Sequence, residues 1–331
     1  MNIYIDSACD IYYSSFYIKG LEICYGSKNL YYKNKPFSDL KFNNHFFAFI
    51  INENSVNRRV IIDYADSPKI DSKALIWSDI YCKINIDESI QYNTTKLVNI
   101  GPSFGIKIYS PAKTFFFAIM NFLKSRKRVD NVRNFFSNYK AQLYRLKLSD
   151  YYPGYEQGNY IYFSGSLWKK EIKTNTYRAN FINACLTKSL KFEGGFAPRT
   201  KNDIQGYQNL TMKSRDTMES YSEKTKKSIV AFNTPAVLDC HGWKLAEFLC
   251  FGKAIISTDL LRKIPSELIN KKHILITNGT QEDIEEKLET LITDKKLRSV
   301  LNENARKYFE KELSPDKVIE KIKTLHNTVY N

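Results

Sequence analysis

The stretch "LDCHGWKLAEFLCFGKAIIST", residues 238–258, combines an imidazole, a glycine and a carboxylate ahead of an apolar run. Apolar side chains at helical spacing in "WKLAEFLCF" predict a helix that ends at Gly252. The following "AIIST" predicts a buried strand. The loop before the helix is therefore expected at the carboxyl edge of a sheet, where α/β proteins bind ligands.

The start of this helix suits a phosphorylated ligand. Gly242 lets a ligand approach the backbone closely, and the N–H groups of the first turn with the helix dipole favour a diphosphate. His241 and Lys244 add donors or charge, and Glu247 is placed to accept hydrogen bonds from ribose hydroxyls. A glutamate near a helix start is also commonly a simple partner of the dipole, so the spacing alone leaves both interpretations open.

Other candidates for the same ligand lie in the second half of the chain. "GSLWKKEIKTNTYRANF" supplies cations, "FEGGFAPR" supplies two glycines after a strand, and "AFNTP" ends a strand. The full set of predicted donor-binding residues is Lys169, Arg178, Gly194, Gly195, Arg199, Asn233, Thr234, His241, Gly242, Trp243, Lys244 and Glu247. Arg178 can equally be a surface charge, and a Gly-Gly pair after a strand can equally be a turn.

Acids at predicted strand ends in the first half are candidates for a catalytic base. Asp10 and Asp66 are the two favoured positions, and Asp63 is a third. Such a group would deprotonate an acceptor hydroxyl in an inverting transfer. Each of these acids is also typical of a cap or turn.

The bulk composition indicates a globular protein with an anionic partner. The chain has 331 residues, which favours two domains, and a net charge of +15. That charge fits nucleic acid, an anionic membrane or a phosphorylated small molecule. The sequence has no zinc-finger or helix-turn-helix signature, so we expect no nucleic-acid partner. Six cysteines without a CxxC pair are typical of a reducing compartment, and no metal site is expected.

We expect a cytoplasmic protein, because the N-terminus opens as a strand and the longest apolar block has nine residues, "FFFAIMNFL". A spanning helix needs about 20. The region from 110 to 146 is predicted to be helical, as two helices. These either pack on the sheet as a hairpin or meet a membrane surface, with Lys124, Arg126, Lys127 and Arg128 facing lipid phosphates. The second alternative implies a peripheral position at the inner face of the cell membrane.

Strand and helix signals alternate in both halves, which predicts βαβ units and parallel sheets. "SDYYPGYEQG" clusters proline and glycine and is predicted to be the interdomain linker. The predicted domains are residues 1–150, residues 151–313 and a terminal helix over 314–331. That helix starts at "SPDK", with Ser at the N-cap and Pro at the first position.

The segment around Glu247 resembles the donor-binding signature of GT-B glycosyltransferases. In retaining members that signature is a Glu, seven residues and a second Glu, then a helix and a "PVI"-like strand. Glu247 matches the second Glu, and "FLCFGKAIIST" matches the stretch that follows it. Asp239 occupies the first position, and "CHGWKLAE" is also similar to the His-Cys-Gly-Trp box of inverting members, so both stereochemical outcomes stay open. The resemblance continues through "NENARKYFEKELSPDKVIEKI".

This resemblance, to group 1 or family 4-like bacterial enzymes, implies an α/β protein of GT-B fold. Two Rossmann-like domains would face each other across a cleft, with the C-terminal helix crossing back to the first. The first domain would bind a glycan or lipid-linked acceptor and the second a nucleotide diphosphate sugar of UDP or GDP type. The implied role is surface polysaccharide synthesis, such as capsule or lipopolysaccharide, without a bound metal or permanent cofactor. Two alternatives remain: a sugar-nucleotide epimerase on the same scaffold, and a non-catalytic basic protein that binds membrane or nucleic acid.

Overall fold

The computed structural model describes residues 1–40, 45–54, 56–188, 190–199 and 204–328. The chain forms two compact units. The first unit contains Met1–Leu148, Lys263–Pro265 and the chain from Lys311 onward, and the second contains Ser149–Arg262 and Ser266–Glu310. The predicted domain boundaries, after residues 150 and 313, stay predictions.

The first unit is built on a six-stranded sheet in the order β2-β1-β3-β4-β5-β6. Its strands are β1 (Asn2–Asp6), β2 (Leu30–Lys33), β3 (Phe46–Glu53), β4 (Val56–Asp63), β5 (Ile80–Lys83) and β6 (Leu97–Asn99). Its helices are α1 (Ile11–Tyr25), α2 (Ser72–Trp77), α3 (Pro111–Ser125) and α4 (Val132–Leu143), with the last helix of the chain added to them. The two helices predicted between 110 and 146 are α3 and α4.

The expectation of a wholly parallel sheet is wrong for the first unit. β3 runs antiparallel to both β1 and β4, whereas the other neighbours are parallel. A short turn joins β3 to β4, and Asn54 adopts a φ of 49° in it. A turn of this length permits only an antiparallel hairpin, since a parallel crossover needs a dozen residues or more.

The second unit has parallel strands covered by helices. Its strands are β7 (Tyr160–Gly165), β8 (Lys191–Phe196), β9 (Ala231–Asn233), β10 (Ile255–Ser257) and β11 (Leu275–Ile276). Its helices are α5 (Ile172–Thr187), α6 (Met218–Lys227), α7 (Trp243–Phe251), α8 (Gln281–Thr293) and α9 (Lys295–Tyr308). β7 pairs with β8, β10 pairs with β9 and β11, and β7 packs beside β9. The Phe181 and Phe232 rings stack at 4.4 Å in the core.

The chain returns to the first unit after α9. A π-helical turn, Phe309–Leu313, leads into α10 (Pro315–Thr328), which packs against α1. Gly20 permits this contact, because a Cβ there would lie 2.2 Å from the Pro315 carbonyl oxygen. This return of the C-terminal helix to the first unit is what the resemblance implied.

Candidate functional site

A cavity of about 140 Å³ lies within the second unit. It is at the carboxyl ends of β7 and β9 and beside the first residues of α7. Six of the predicted donor-binding residues line it: Arg178, Asn233, Thr234, Gly242, Trp243 and Lys244. Parallel strands bring loops from distant parts of a chain to one edge of a sheet, which is why residues more than sixty positions apart meet here.

Arg178 extends from α5 with its guanidinium buried beside the cavity. Its Nε donates to Thr234 Oγ1 at 2.9 Å and its Nη1 donates to the Ser166 carbonyl oxygen at 2.7 Å. The other three N–H groups donate to no described residue. Burial lowers the pKa of Arg178 to about 10, so the side chain stays charged at neutral pH. The structure therefore fixes the direction of the guanidinium and leaves it donors for an anion.

Lys244 lies in the first turn of α7 and is half-buried. Its Nζ sits 4.5 Å from the centre of the Tyr221 ring and 5.7 Å from that of Phe248. No hydrogen bond or ion pair joins this ammonium to another described residue. Burial lowers the pKa of Lys244 to about 8; Glu247 opposes the shift and Arg178 adds to it. An anion in the cavity would restore the stabilisation of the charge that burial removes.

The N-terminus of α7 adds a third positive group to this cavity. Gly242 is the N-cap residue, and no side chain caps the first turn. The exposed N–H groups and the dipole make this end suitable for an anion. Gly242 itself has a φ of −74°, and a Cβ there would meet only Ala236 Cβ at 3.6 Å. The backbone conformation at Gly242 therefore does not require a glycine. The predicted close approach of a ligand to this residue stays a prediction.

Trp168 is a cavity residue that the sequence analysis missed. It lies on the loop after β7 and lines the cavity, and its Nε1 is buried without a hydrogen-bond partner among the described residues. Asn175 fixes the backbone of Trp168, since its amide group accepts from the Trp168 N–H at 3.0 Å and donates to the Trp168 carbonyl at 2.7 Å. The signal in the sequence is its place in "SGSLW", just after a predicted buried strand.

Glu247 lies on the second turn of α7 and is 4% exposed. Its Oε2 accepts a hydrogen bond of 2.7 Å from the Tyr221 hydroxyl of α6. Burial and the Glu247 charge together raise the pKa of Tyr221 well above its usual range, so Tyr221 is the proton donor in this pair. Glu247 is not among the residues that line the cavity, and its predicted role with ribose stays a prediction.

Gly194 and Gly195 have a packing role in the structure. Both lie in β8 with φ values of 119° and 142°. A Cβ on Gly194 would lie 1.8 Å from the Phe163 carbonyl oxygen of β7, and one on Gly195 would lie 2.4 Å from the Leu210 carbonyl oxygen. Close approach of neighbouring backbone therefore accounts for these glycines without a ligand.

Three other predicted residues do not line the cavity. Lys169 is exposed on the loop after β7, and His241 is buried just before α7. Arg199 donates from Nη1 to the Leu167 carbonyl oxygen at 2.5 Å. This contact ties Arg199 to the loop that carries Trp168.

The candidate bases lie in the first unit, near the carboxyl ends of β1 and β4. Asp10 is the N-cap of α1, where Oδ1 accepts from the Tyr12 N–H at 2.9 Å and Oδ2 accepts from Asn138 Nδ2 at 2.8 Å. Burial raises the pKa of Asp10 to about 6. Asp66 is exposed on the loop after β4. Asp63, the third candidate, forms a buried ion pair with Lys83 at 2.8 Å.

The cavity can bind an anion about the size of a diphosphate. It is smaller than the 300–1,000 Å³ that is common for whole ligands, so it would hold only part of a nucleotide sugar. Within the described residues, no group of three or more His, Cys, Asp or Glu side chains is arranged to hold a metal ion. Over the same part of the chain, no helix is long and apolar enough to span a membrane.

Residues 210–308 match a family model described as "Glycosyl transferases group 1". That range includes α7 with Lys244 and Glu247. No curated protein sequence matches the chain significantly.

Several solved structures match the chain at low identity. HepE from Anabaena, solved with UDP and glucose, is 11% identical, with 81% of this chain and 71% of that chain covered and a TM-score of 0.47. Sucrose-phosphate synthase from Thermosynechococcus elongatus is 10% identical, with 80% and 64% covered and a TM-score of 0.42. The C-terminal domain of LpcC from Francisella tularensis, a group 1 family protein, is 13% identical, with 50% and 96% covered and a TM-score of 0.36.

The family match confirms the predicted resemblance to the group 1 glycosyltransferases. Residues 210–308 thus carry the pattern of a glycosyltransferase family, and the two α/β units are consistent with the predicted GT-B fold. The match covers the part of the second unit that contains α7, so the helix start described above lies inside the segment that carries the family's pattern.

Proposed function

We propose that this chain, with its group 1 glycosyltransferase segment at residues 210–308, moves a sugar from a nucleotide diphosphate sugar of UDP or GDP type onto a glycan or lipid-linked acceptor. The setting we propose is bacterial surface polysaccharide synthesis, such as capsule or lipopolysaccharide. The enzyme would work in the cytoplasm, as a peripheral protein at the inner face of the cell membrane.

The observation that carries this proposal is the convergence of positive groups on one cavity. Arg178, Lys244 and the uncapped N-terminus of α7 surround a space of about 140 Å³. Neither cationic side chain forms an ion pair with a described carboxylate. Buried positive charge without an anionic partner is costly, so its presence at a cavity favours an anionic ligand.

The diphosphate of the donor would occupy this cavity. Arg178 would donate from the N–H groups that Thr234 and Ser166 leave over, and Lys244 with the first N–H groups of α7 would meet the other phosphate oxygens. When the bond between the sugar and the diphosphate breaks, negative charge builds on the leaving oxygen. These fixed positive groups stabilise that charge, and we propose that they do so without a bound metal.

The remaining donor contacts are assigned from the predicted set. Glu247, held by Tyr221, would accept from the ribose hydroxyls, and Asn233 and Trp243 would contact the parts of the donor that extend from the diphosphate. If the transfer inverts the anomeric centre, Asp10 is the favoured base, because a pKa of about 6 leaves it ionised and basic near neutral pH.

Calorimetric titration of the purified protein with UDP and GDP tests this assignment. Arg178→Gln removes charged hydrogen bonds, so we expect the favoured nucleotide to bind more weakly by about 1.5–3 kcal/mol. Arg298→Gln is the matched control, because Arg298 also donates to a backbone carbonyl, that of Leu291, and to the Glu156 carboxylate, but lies on α9 and does not line the cavity.

Circular dichroism melting should show that both variants are folded. Equal affinity of wild type and Arg178→Gln for the nucleotide would remove Arg178 from the donor site. Equal weakening by both variants would trace the loss to general destabilisation instead.

A further inference from the structure

α3 exposes large apolar side chains to solvent, whereas an ordinary surface helix buries them. Its exposed side includes Phe115, Phe116, Ile119 and Leu123, which we call the α3 patch; they are 70%, 56%, 38% and 57% exposed. Residues at these positions lie along one side of a helix. The side turned to the protein buries small or polar residues instead: Thr114, Ala118, Asn121 and Ser125.

Specific hydrogen bonds hold α3 in this orientation. Asn121 Nδ2 donates to the Tyr139 hydroxyl of α4 at 2.9 Å, and Thr114 Oγ1 donates to Gln142 Oε1 at 3.4 Å. Turning the helix to bury the aromatic side chains would break these hydrogen bonds. It would leave the polar side chains of α4 without their partners. The outward direction of the α3 patch is therefore built into the fold of the first unit.

The chain around the patch is strongly basic. Between residues 89 and 149 there are eleven lysines and arginines and one acid, Asp130. The cations that are exposed beside or on α3 and at the start of α4 are Lys113, Lys124, Arg126, Lys127 and Arg133. Arg128 is not available to a lipid, which corrects the expectation from the sequence, because both its Nη atoms bind the Asp6 carboxylate at 2.8 Å.

A groove of about 580 Å³ continues from the patch. Phe116 belongs to both, and Phe117 and Met120 extend the apolar lining. Lys33, Lys35 and Lys124 lie along the same groove. Apolar surface edged by cations thus extends beyond the helix itself.

We propose that the α3 patch docks on an anionic phospholipid bilayer, with α3 lying in the interface. Aromatic and aliphatic side chains enter the boundary between headgroups and acyl chains while neighbouring cations meet phosphates. A nucleic acid would use the cations but not the aliphatic groups, and a second copy of this chain would bring the same positive charge against itself. This inference rests on the proposed function, for which it supplies the surface that brings the enzyme to a lipid-linked acceptor.

Vesicle co-sedimentation of the full chain tests the proposal. The probes are vesicles of phosphatidylcholine alone and vesicles with about 30% phosphatidylglycerol. The variant is Phe115→Ser/Phe116→Ser/Leu123→Ser. Its matched control is Ile76→Ser/Ile172→Ser/Leu186→Ser, which removes three apolar side chains that are 80%, 73% and 60% exposed elsewhere.

We expect the wild type and the control to bind the anionic vesicles and the α3 variant to bind about 100-fold more weakly, from lost apolar burial. Lys113→Glu/Arg126→Glu/Lys127→Glu should weaken binding by about 5-fold or more for each charge. Added salt should weaken the wild type further.

Equal binding by the α3 variant and the control would overturn the proposal, as would equal binding of the wild type to neutral vesicles. Binding of a duplex oligonucleotide with the same loss in the α3 variant would also overturn it, in favour of nucleic acid. Titration with UDP and GDP gives an independent readout, since it concerns the second unit. If the wild type binds the vesicles but neither UDP nor GDP, the proposed function alone is rejected. If it binds a nucleotide but not the vesicles, this inference alone is rejected.

Discussion

At the scale of single residues, Lys244 makes donor binding depend on pH. Its pKa of about 8 in the unliganded protein is raised again when an anion binds, because the anion favours the charged form. Binding is therefore strongest below pH 8, where Lys244 is already protonated, and weakens as the pH rises through that value. Between pH 7.5 and 9.0 we expect the calorimetric affinity for UDP or GDP to fall by about 8-fold beyond any change that belongs to the nucleotide.

Lys244→Arg is the control for this pH dependence, because its guanidinium stays charged over the whole range. Its affinity should change with pH only as far as the nucleotide itself ionises. If the wild type and Lys244→Arg give parallel curves, Lys244 does not contact the anion.

Residue types indicated the chemistry of the site but not the environment of each side chain. The positive groups at Arg178 and Lys244 and the helix start at Trp243 could be predicted, because charge and helical period are written in the sequence. The burial of Arg178 and the partnerless N–H of Trp168 depend on β7, α5 and β9 meeting at one edge. No local sequence pattern predicts that β7, α5 and β9 lie side by side.

At the scale of elements, β8 depends on a glycine that looks like part of a binding loop. Gly194→Ala places a Cβ 1.8 Å from the Phe163 carbonyl oxygen and forces a side chain to a φ of 119°. Neither strain can relax while β7 and β8 stay paired. We expect a loss of about 3 kcal/mol or more in the free energy of unfolding, measured by urea denaturation.

Gly242→Ala is the contrasting variant in the same unit. Its φ of −74° suits any residue, and the nearest atom to a Cβ is 3.6 Å away. Its stability should fall by only about 1 kcal/mol, because alanine is a poorer N-cap residue than glycine but meets no steric strain here. Similar urea midpoints for the two variants would contradict the packing role of Gly194.

Most helices and strands could be predicted, whereas their pairing could not. α7 has the predicted bounds, since apolar period and the glycine at its end are local signals. The antiparallel position of β3 was missed because a strand between two others reads the same in either direction. Only the short connection after Glu53 indicates the antiparallel direction.

At the scale of the whole molecule, residues that follow one another in the sequence do not all belong to the same unit. Residues after Glu310 follow α9 in sequence but belong to the first unit. The basic stretch from 89 to 149 also lies almost wholly in the first unit. The terminal helix and the basic stretch can both be predicted from the sequence. Their place in the same unit follows only from the structure.

The C-terminal helix should therefore stabilise the first unit more than the second. Ile319 is fully buried on α10, and its Cγ1 lies 2.8 Å from where a Cβ of Gly20 would be. Ile319→Ala should cost about 2–5 kcal/mol of unfolding free energy. Trp77 reports on the first unit, so we expect its fluorescence transition in urea to move in a Trp168→Phe/Trp243→Phe background.

Glu320→Ala is the control on the same helix, since Glu320 is exposed and makes only an exposed ion pair with Lys317. It should shift the Trp77 transition by less than about 1 kcal/mol. In a Trp77→Phe background, the tryptophans of the second unit should shift less with Ile319→Ala than Trp77 does. A Trp77 transition that stays in place with Ile319→Ala would contradict a stabilising contribution of α10 to the first unit.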